Sequence, residues 1–387
     1  MQTQTPTIKL CLLFVIAGPS ADADDEGAEA TTSFDRDRAV LEEHRIPHGP
    51  LPKSHDTHAS TITEAADGTL VAAWFAGTRE NAKDVEIWAS RKERGATWSE
   101  PLVADTGNRR VDGEEREFAC WNPVLITHPD STIYLYYKIT GSGTASGPHN
   151  WWGAVRTSRD HGKTWSDRIW LPTVATKGDS KVFRPYDGHL TGPVKNRPLI
   201  MPDGSLLCGS STETEYGWRV HFELYRPDDW TGQKHGAAVI GPLLEGKRGI
   251  QPSFLVHSKD YKRLQVLTRD DGTAWSEDGG MTWTPVTKGP VDTSKGLHAI
   301  TTKSGWHFLA FNPSGRTPLS LARTRDGKSW QTILPVLHRD GGNNMDYPTI
   351  LEARDGKLHV VHTYGRQFIH HLVLDTAYLC REETTVQ

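Results

Sequence analysis

The chain has 387 residues, a formal net charge of −4, and lysines and arginines scattered along its length rather than clustered. That balance argues against nucleic acid as the main partner. The length suggests two or three domains by size alone, but no linker or low-complexity run follows residue 35, so one large domain is expected.

At the N-terminus, Lys9 precedes an apolar run from Leu10 to Ala17 and a small-residue site at Ala21-Asp22-Ala23. Residues 1–23 are read as a secretory signal, too short to span a membrane, and a secreted or periplasmic protein is expected. Residues 24–36 are acidic and small and are expected to be disordered, with residues 383–387 as a short tail. Of four cysteines the leader would remove one, leaving Cys120, Cys208 and Cys380, an odd number that cannot pair fully. Buried thiols are expected, with one disulfide left open. His55-Asp-Thr-His58 and His370-His371 are too short to be metal sites alone, so no metal and no cofactor is expected.

Next comes a repeat. Ser90 to Trp98, Ser158 to Trp165, Ser276 to Trp283 and Thr324 to Trp330 follow one pattern, S-x-D-x-G-x-T-W, with Glu93 near the acid position of the decayed first copy. An acid and a glycine close a tight turn, and the tryptophan packs that turn on its sheet. The tryptophans are 67, 118 and 47 residues apart, and Arg226-Pro-Asp-Asp-Trp230 fits as a decayed copy in the long gap. A β-rich period of about 40–50 residues is that of a four-stranded propeller blade. Each unit also carries an earlier hairpin signal, seen at Asp67-Gly68, Asp203-Gly204 and Asp355-Gly356. Val71-Ala-Ala-Trp-Phe75, Thr132 to Tyr137 and Leu358 to His362 read as strands.

The spacing predicts an all-β, six-bladed β-propeller over residues 37–382, with blades at 57–98, 119–165, 193–230, 251–283, 298–330 and 347–375. The last blade lacks a fourth strand, which Ala39 to Ile46 can supply from the N-terminus, closing the ring. A seventh blade has no sequence left to build it.

Residues entering each blade's innermost strand converge at one end of a propeller's channel. The blades open on His55 to His58, Cys120-Trp-Asn-Pro123, Pro193-Val-Lys-Asn-Arg197, Gly249-Ile-Gln-Pro252, His298 and Asp346-Tyr347-Pro348. Arginines, a tyrosine, a histidine and an aspartate at such places suggest a site for a small anion.

With Ala119 to Leu125, Gly217 to Glu223, Ile250 to Phe254, Asn312 to Leu319 and Asp346 to Ile350 in hand, the chain resembles the exo-sialidase superfamily of Asp-box propellers, in particular its bacterial "predicted neuraminidase" branch. The resemblance covers about residues 45–380. It implies a glycoside hydrolase that removes a terminal acidic sugar from a glycan, acting as a monomer. It also implies three arginines on the sugar carboxylate, a tyrosine nucleophile paired with a glutamate, and an aspartate acid/base. Carried over, Tyr347 is the nucleophile, Asp84 the acid/base with Glu80 as runner-up, and Arg269 and Arg316 the second and third arginines. His58 stands where the first arginine belongs and Gln251 where the glutamate belongs. Gln251 cannot take the tyrosine proton, whereas His58 can serve as a base or, protonated, as a cation. Arg219, Glu223, Trp121 and Asn122 are further substrate-binding candidates, as are Trp151 and Trp152. The departures leave two alternatives: a uronic-acid-directed hydrolase or polysaccharide lyase using His58 and Tyr347, and a non-catalytic glycan-binding propeller.

Overall fold

Leu70–Gly77 is buried along its whole length. A strand covered on both faces reads as one apolar run rather than an alternation, which is what blades packed face to face around a ring require. The structure is a computed structural model, and it describes residues 34–49, 55–140, 150–173, 188–214, 217–241, 243, 249–337 and 344–382. The expected signal, most of the expected acidic segment and the C-terminal tail lie outside the described residues. Phe34 to Arg36, assigned to that acidic segment, are ordered. Phe34 is buried and meets Tyr378 edge-to-face at 5.4 Å, and Asp35 caps the one-turn helix Arg36–Ala39.

Six four-stranded antiparallel sheets form the blades. Blade one runs Asp56–Glu64, Leu70–Gly77, Glu86–Lys92, Leu102–Asp105, and blade two Cys120–Thr127, Ile133–Thr140, Trp151–Ser158, Ile169–Trp170. Blade three is Leu199–Ile200, Leu206–Thr214, Gly217–Tyr225, Ala237–Ile240, and blade four Ile250–Val256, Leu264–Arg269, Gly272–Ser276, Thr287–Lys288. Blade five is Leu297–Thr301, His307–Phe311, Ser320–Thr324, Gln331–Leu334. Blade six has Met345–Glu352, Leu358–Tyr364 and Phe368–Leu374, and Val40–Ile46 pairs antiparallel with the last of these as its fourth strand. The N-terminal closure expected from the sequence is therefore present. Among the described residues no helix is long and apolar enough to cross a membrane.

One boundary differs from expectation. The S-x-D-x-G-x-T-W turn joins the third strand to the fourth, so each of the first five blades continues past its tryptophan; Thr287–Lys288 follows Trp283, for example. The turn chemistry repeats closely. Asp160 accepts from Ser158 Oγ at 2.8 Å, Thr164 N at 2.9 Å and Thr164 Oγ1 at 2.6 Å. Asp278 accepts from Ser276 Oγ at 2.9 Å, Thr282 N at 2.9 Å and Thr282 Oγ1 at 2.6 Å. Asp326 makes the same set with Thr324 and Ser329. In the decayed copy Asp229 takes on the role, accepting from Thr231 Oγ1 and three backbone N–H groups.

Around the channel, consecutive inner segments are tied by polar bonds. Thr349 Oγ1 donates to Ser60 O at 2.8 Å, and Leu125 N to Thr61 Oγ1 at 3.0 Å. Lys138 Nζ donates to Pro193 O, Asn196 Nδ2 to Gln251 O at 2.7 Å, Ala299 N to Ser253 Oγ at 2.8 Å, and Ile350 N to His298 Nδ1 at 3.0 Å. Hydrogen bonds thus close the circle from blade to blade, so that these buried groups are satisfied. Cys120, Cys208 and Cys380 are free thiols, the first two buried in different core clusters.

Candidate active site

Four inner strands lose register near their starts, between His58 and Thr61, Trp121 and Val124, Ile250 and Ser253, and Asp346 and Thr349. Each break holds a non-glycine residue at positive φ: Ala59 at 55°, Asn122 at 37°, Gln251 at 55° and Tyr347 at 55°. Lys195, in the segment entering blade three, has φ 67°. A bulge of this kind re-aims a side chain, and its strain persists only where the surroundings over-determine it. Proline follows at 123, 252 and 348, which withholds a ladder donor at the point where pairing breaks.

Two of these bulge residues meet. Tyr347 Oη accepts from Gln251 Nε2 at 3.2 Å and from Arg269 Nη1 at 3.0 Å. Lys195 Nζ and the Arg316 guanidinium each lie 5.8 Å from the Tyr347 ring centre, and the His58 ring lies 4.2 Å away. Arg316 pairs with the fully buried Asp346 carboxylate yet keeps 31% of its own side chain exposed. Arg366, from the turn after Leu358–Tyr364, binds Glu80 at 2.8 Å and Asp56 at 3.3 Å. Gly296 backs the tyrosine: a Cβ there would stand 2.5 Å from Tyr347 N.

Burial pushes the Tyr347 phenol up, and Arg269 and Gln251 oppose it. Burial also holds His58 well below the usual histidine range, reinforced by Arg366, Arg316, Lys195 and Arg269. The Lys195 ammonium is likewise pushed well down by burial, with Asp346 opposing. Burial raises the Glu213 carboxyl to about 7 against the pull of Arg269. Three arginines, Arg269, Arg316 and Arg366, thus surround one phenol, with Asp346, Glu80 and Asp56 as counter-ions, and the Glu213 carboxyl raised to about 7 feels the same Arg269.

The other candidates have the following surroundings. His58 is 1% exposed and bonds Thr363 Oγ1 at 2.8 Å. Burial first and the charges around it second disfavour the protonated ring, and it packs against Tyr347 at 4.2 Å. Glu223 is not a substrate ligand: it is fully buried and accepts from Thr191 N, Gly192 N, His221 and Tyr225 Oη, a structural carboxylate that repays its desolvation with hydrogen bonds. Trp121 is not an open stacking surface. It is 5% exposed, donates to Thr140 Oγ1 at 3.0 Å and packs on Phe75 and Trp151, itself a core residue. Asn122 is buried at the blade-two bulge. Arg219 is half-buried and donates to Trp218 O at 2.9 Å. Trp152 stacks on His189 at 4.1 Å. Asp84 is exposed between the second and third strands of blade one and accepts from Thr78 N at 3.0 Å.

Three participants escaped the sequence reading. Lys195 carried a signal, since it opens blade three as Gln251 and Tyr347 open theirs. Arg366 sits in a plain hairpin turn and Glu213 near a strand end, where no motif marks either.

Residues 68–360 match the sequence profile of a family described as a BNR repeat-like domain. No curated protein matches the chain. Among solved structures, a protein of unknown function from Dyadobacter fermentans is 17% identical over 87% of this chain and 98% of its own, with a TM-score of 0.65. The NanB sialidase of Streptococcus pneumoniae is 13% identical over 87% of this chain and 71% of its own, TM-score 0.61. An α-L-arabinanase of Penicillium chrysogenum is 16% identical over 86% and 98%, TM-score 0.58. At these identities the likeness is one of fold, and the fold is one that glycoside hydrolases use.

Proposed function

The chain belongs to the BNR repeat-like domain family, and from that membership and the groups around Tyr347 we propose that it is an exo-acting glycoside hydrolase that removes a terminal acidic sugar from a glycan. The observation that carries the reading is the Tyr347 oxygen held by Arg269 at 3.0 Å and Gln251 at 3.2 Å within a ring of arginines. A phenolate forming there is met by two donors already in position. Arg269 and Arg316 pair with the sugar carboxylate, and Arg366 supplies positive charge from the blade-six turn where His58 supplies none.

In the proposed reaction Tyr347 Oη attacks the anomeric carbon and its proton passes to Glu213, the carboxyl raised to about 7. The glycosidic oxygen takes a proton from Asp84 as the leaving group departs. Water, deprotonated by Asp84, then attacks the glycosyl–Tyr347 bond, and Glu213 returns the proton to the phenolate. Glu80 suits the acid role less, because it is already engaged by Arg366 at 2.8 Å. A lyase working through His58 is disfavoured by that ring's burial.

The test is turnover of an aryl α-sialoside and an aryl β-glucuronide by the purified protein, with Arg316→Met as control. Cleavage of either, lost in the control, supports the reading and names the acid. Cleavage of neither by a folded protein, together with binding of acidic glycans, would favour a glycan-binding propeller.

A further inference from the structure

The inner strands that begin at this mouth end at a second opening. Val256, Thr301 and Glu352, the last residues of the inner strands of blades four, five and six, border a cavity of about 580 Å³. A seven-residue strand such as Ile250–Val256 separates the two ends by about 20 Å. The volume is that of a pocket for a small organic molecule.

Arg197 lines this cavity, and its guanidinium makes no hydrogen bond or ion pair with any described residue. Its own backbone N lies 3.3 Å from His298 Nε2. Burial pushes the guanidinium down to about 10, so it stays charged at neutral pH. Glu64, whose charge it feels, is already taken by Arg354 through Nε at 3.2 Å and backbone N at 2.8 Å. Arg197 is half-buried at the wall of the cavity, so a cation with no ion-pair partner among the described residues faces a space that a ligand can enter.

The remaining lining fits that ligand. Lys259, Lys303 and Arg325 add positive charge at this mouth, and Glu352 is the lone carboxylate of the lining, in a chain whose net charge is −4. Ile200, Phe254 and Val256 give the cavity an apolar wall. His257 and His307 are kept neutral by burial, His307 lowered to about 4.

We propose that this opening is a second binding site, for a small organic anion whose carboxylate or phosphate pairs with Arg197 and whose apolar body lies against Ile200 and Phe254. The planar fork of an arginine suits either group. The site is independent of the Tyr347 reading, since it shares no residue with it.

Calorimetric titration with benzoate and with phenyl phosphate tests it, on the wild type, Arg197→Met, Lys303→Glu and Arg316→Met. One equivalent of at least one probe should bind the wild type. Binding should weaken about tenfold or more in Arg197→Met, which loses a charge-assisted pair, and about threefold in Lys303→Glu at the exposed rim. Arg316→Met, in which the Tyr347 mouth has lost one of its proposed carboxylate partners, should still bind one equivalent at the second opening. Which probe binds distinguishes a carboxylate from a phosphate ligand. Absence of binding by both probes, affinity indifferent to Arg197→Met and Lys303→Glu alike, or loss in Arg316→Met would overturn the proposal. If Arg197→Met fails to fold, the wild type, Lys303→Glu and Arg316→Met decide it.

Discussion

The rim and the hub of this propeller repeat in opposite ways. At the rim one side chain returns from blade to blade making the same bonds, as Asp160, Asp278 and Asp326 do with their Ser/Thr partners. At the hub one backbone feature returns, a non-glycine residue at positive φ where the chain enters a blade, and its side chain changes each time: Ala59, Asn122, Lys195, Gln251, Tyr347. Blade five pairs its first two strands without a register shift. Identical units build a symmetric scaffold at the rim. The same units build an asymmetric site at the hub by varying the residue at one strained position. Stability and function are thereby separated along each blade, and each prediction below is a way to break that separation or to sharpen it.

The largest effect is expected at the hub. Tyr347→Phe removes the oxygen that accepts from Gln251 and Arg269, so turnover should fall about a thousandfold in a protein that still folds, with a far smaller effect on stability. A variant that is active, or one that is inactive because it is unfolded, would break the separation. Gly296→Ala acts at one remove. Its Cβ would press on Tyr347 N from 2.5 Å, and displacing a reacting group by even 1 Å costs about a hundredfold. The kcat should fall by that order in a protein that still folds.

Glu213 sharpens the comparison, because a hub residue should cost stability where a rim residue supplies it. Its carboxyl, raised from 4.5 to about 7, binds its proton more tightly folded than unfolded. Its contribution therefore favours the native state below about pH 4.5 and fades as pH rises to about 7, a change of roughly 3 kcal/mol at most. Denaturant titrations across that range should show the decline in the wild type and a flatter profile in Glu213→Gln.

The smallest effect belongs to the rim. Asp278→Ala removes bonds to Ser276 and Thr282 and should cost about 1–2 kcal/mol with kcat/KM unchanged. Loss of activity beyond that expected from unfolding would contradict the division of labour.

Legibility in the sequence follows the same division. The rim was readable because its chemistry is local: an acid, a glycine and a tryptophan within eight residues satisfy one another, and four copies reveal the period. The closing strand Val40–Ile46 was readable because blade six ran out of chain. Hub residues such as Gln251, Tyr347, Arg269 and Arg316 were readable only through their place in the blades and the family resemblance. Arg366 and Glu213 reach the site from a turn and a strand end, and only the closed ring brings them there. Glu223 misled for the same reason. A glutamate in a strand looks like a ligand until its partners, Thr191 and Gly192 from 31–32 residues earlier, are seen around it.

The most direct measurement is mass spectrometry of the protein acid-quenched during turnover of an aryl α-sialoside or aryl β-glucuronide, followed by peptide mapping. A nucleophilic Tyr347 predicts one sugar residue added to the peptide that contains it, and no adduct in Tyr347→Phe. Turnover without that adduct, or an adduct on another side chain, would contradict the account.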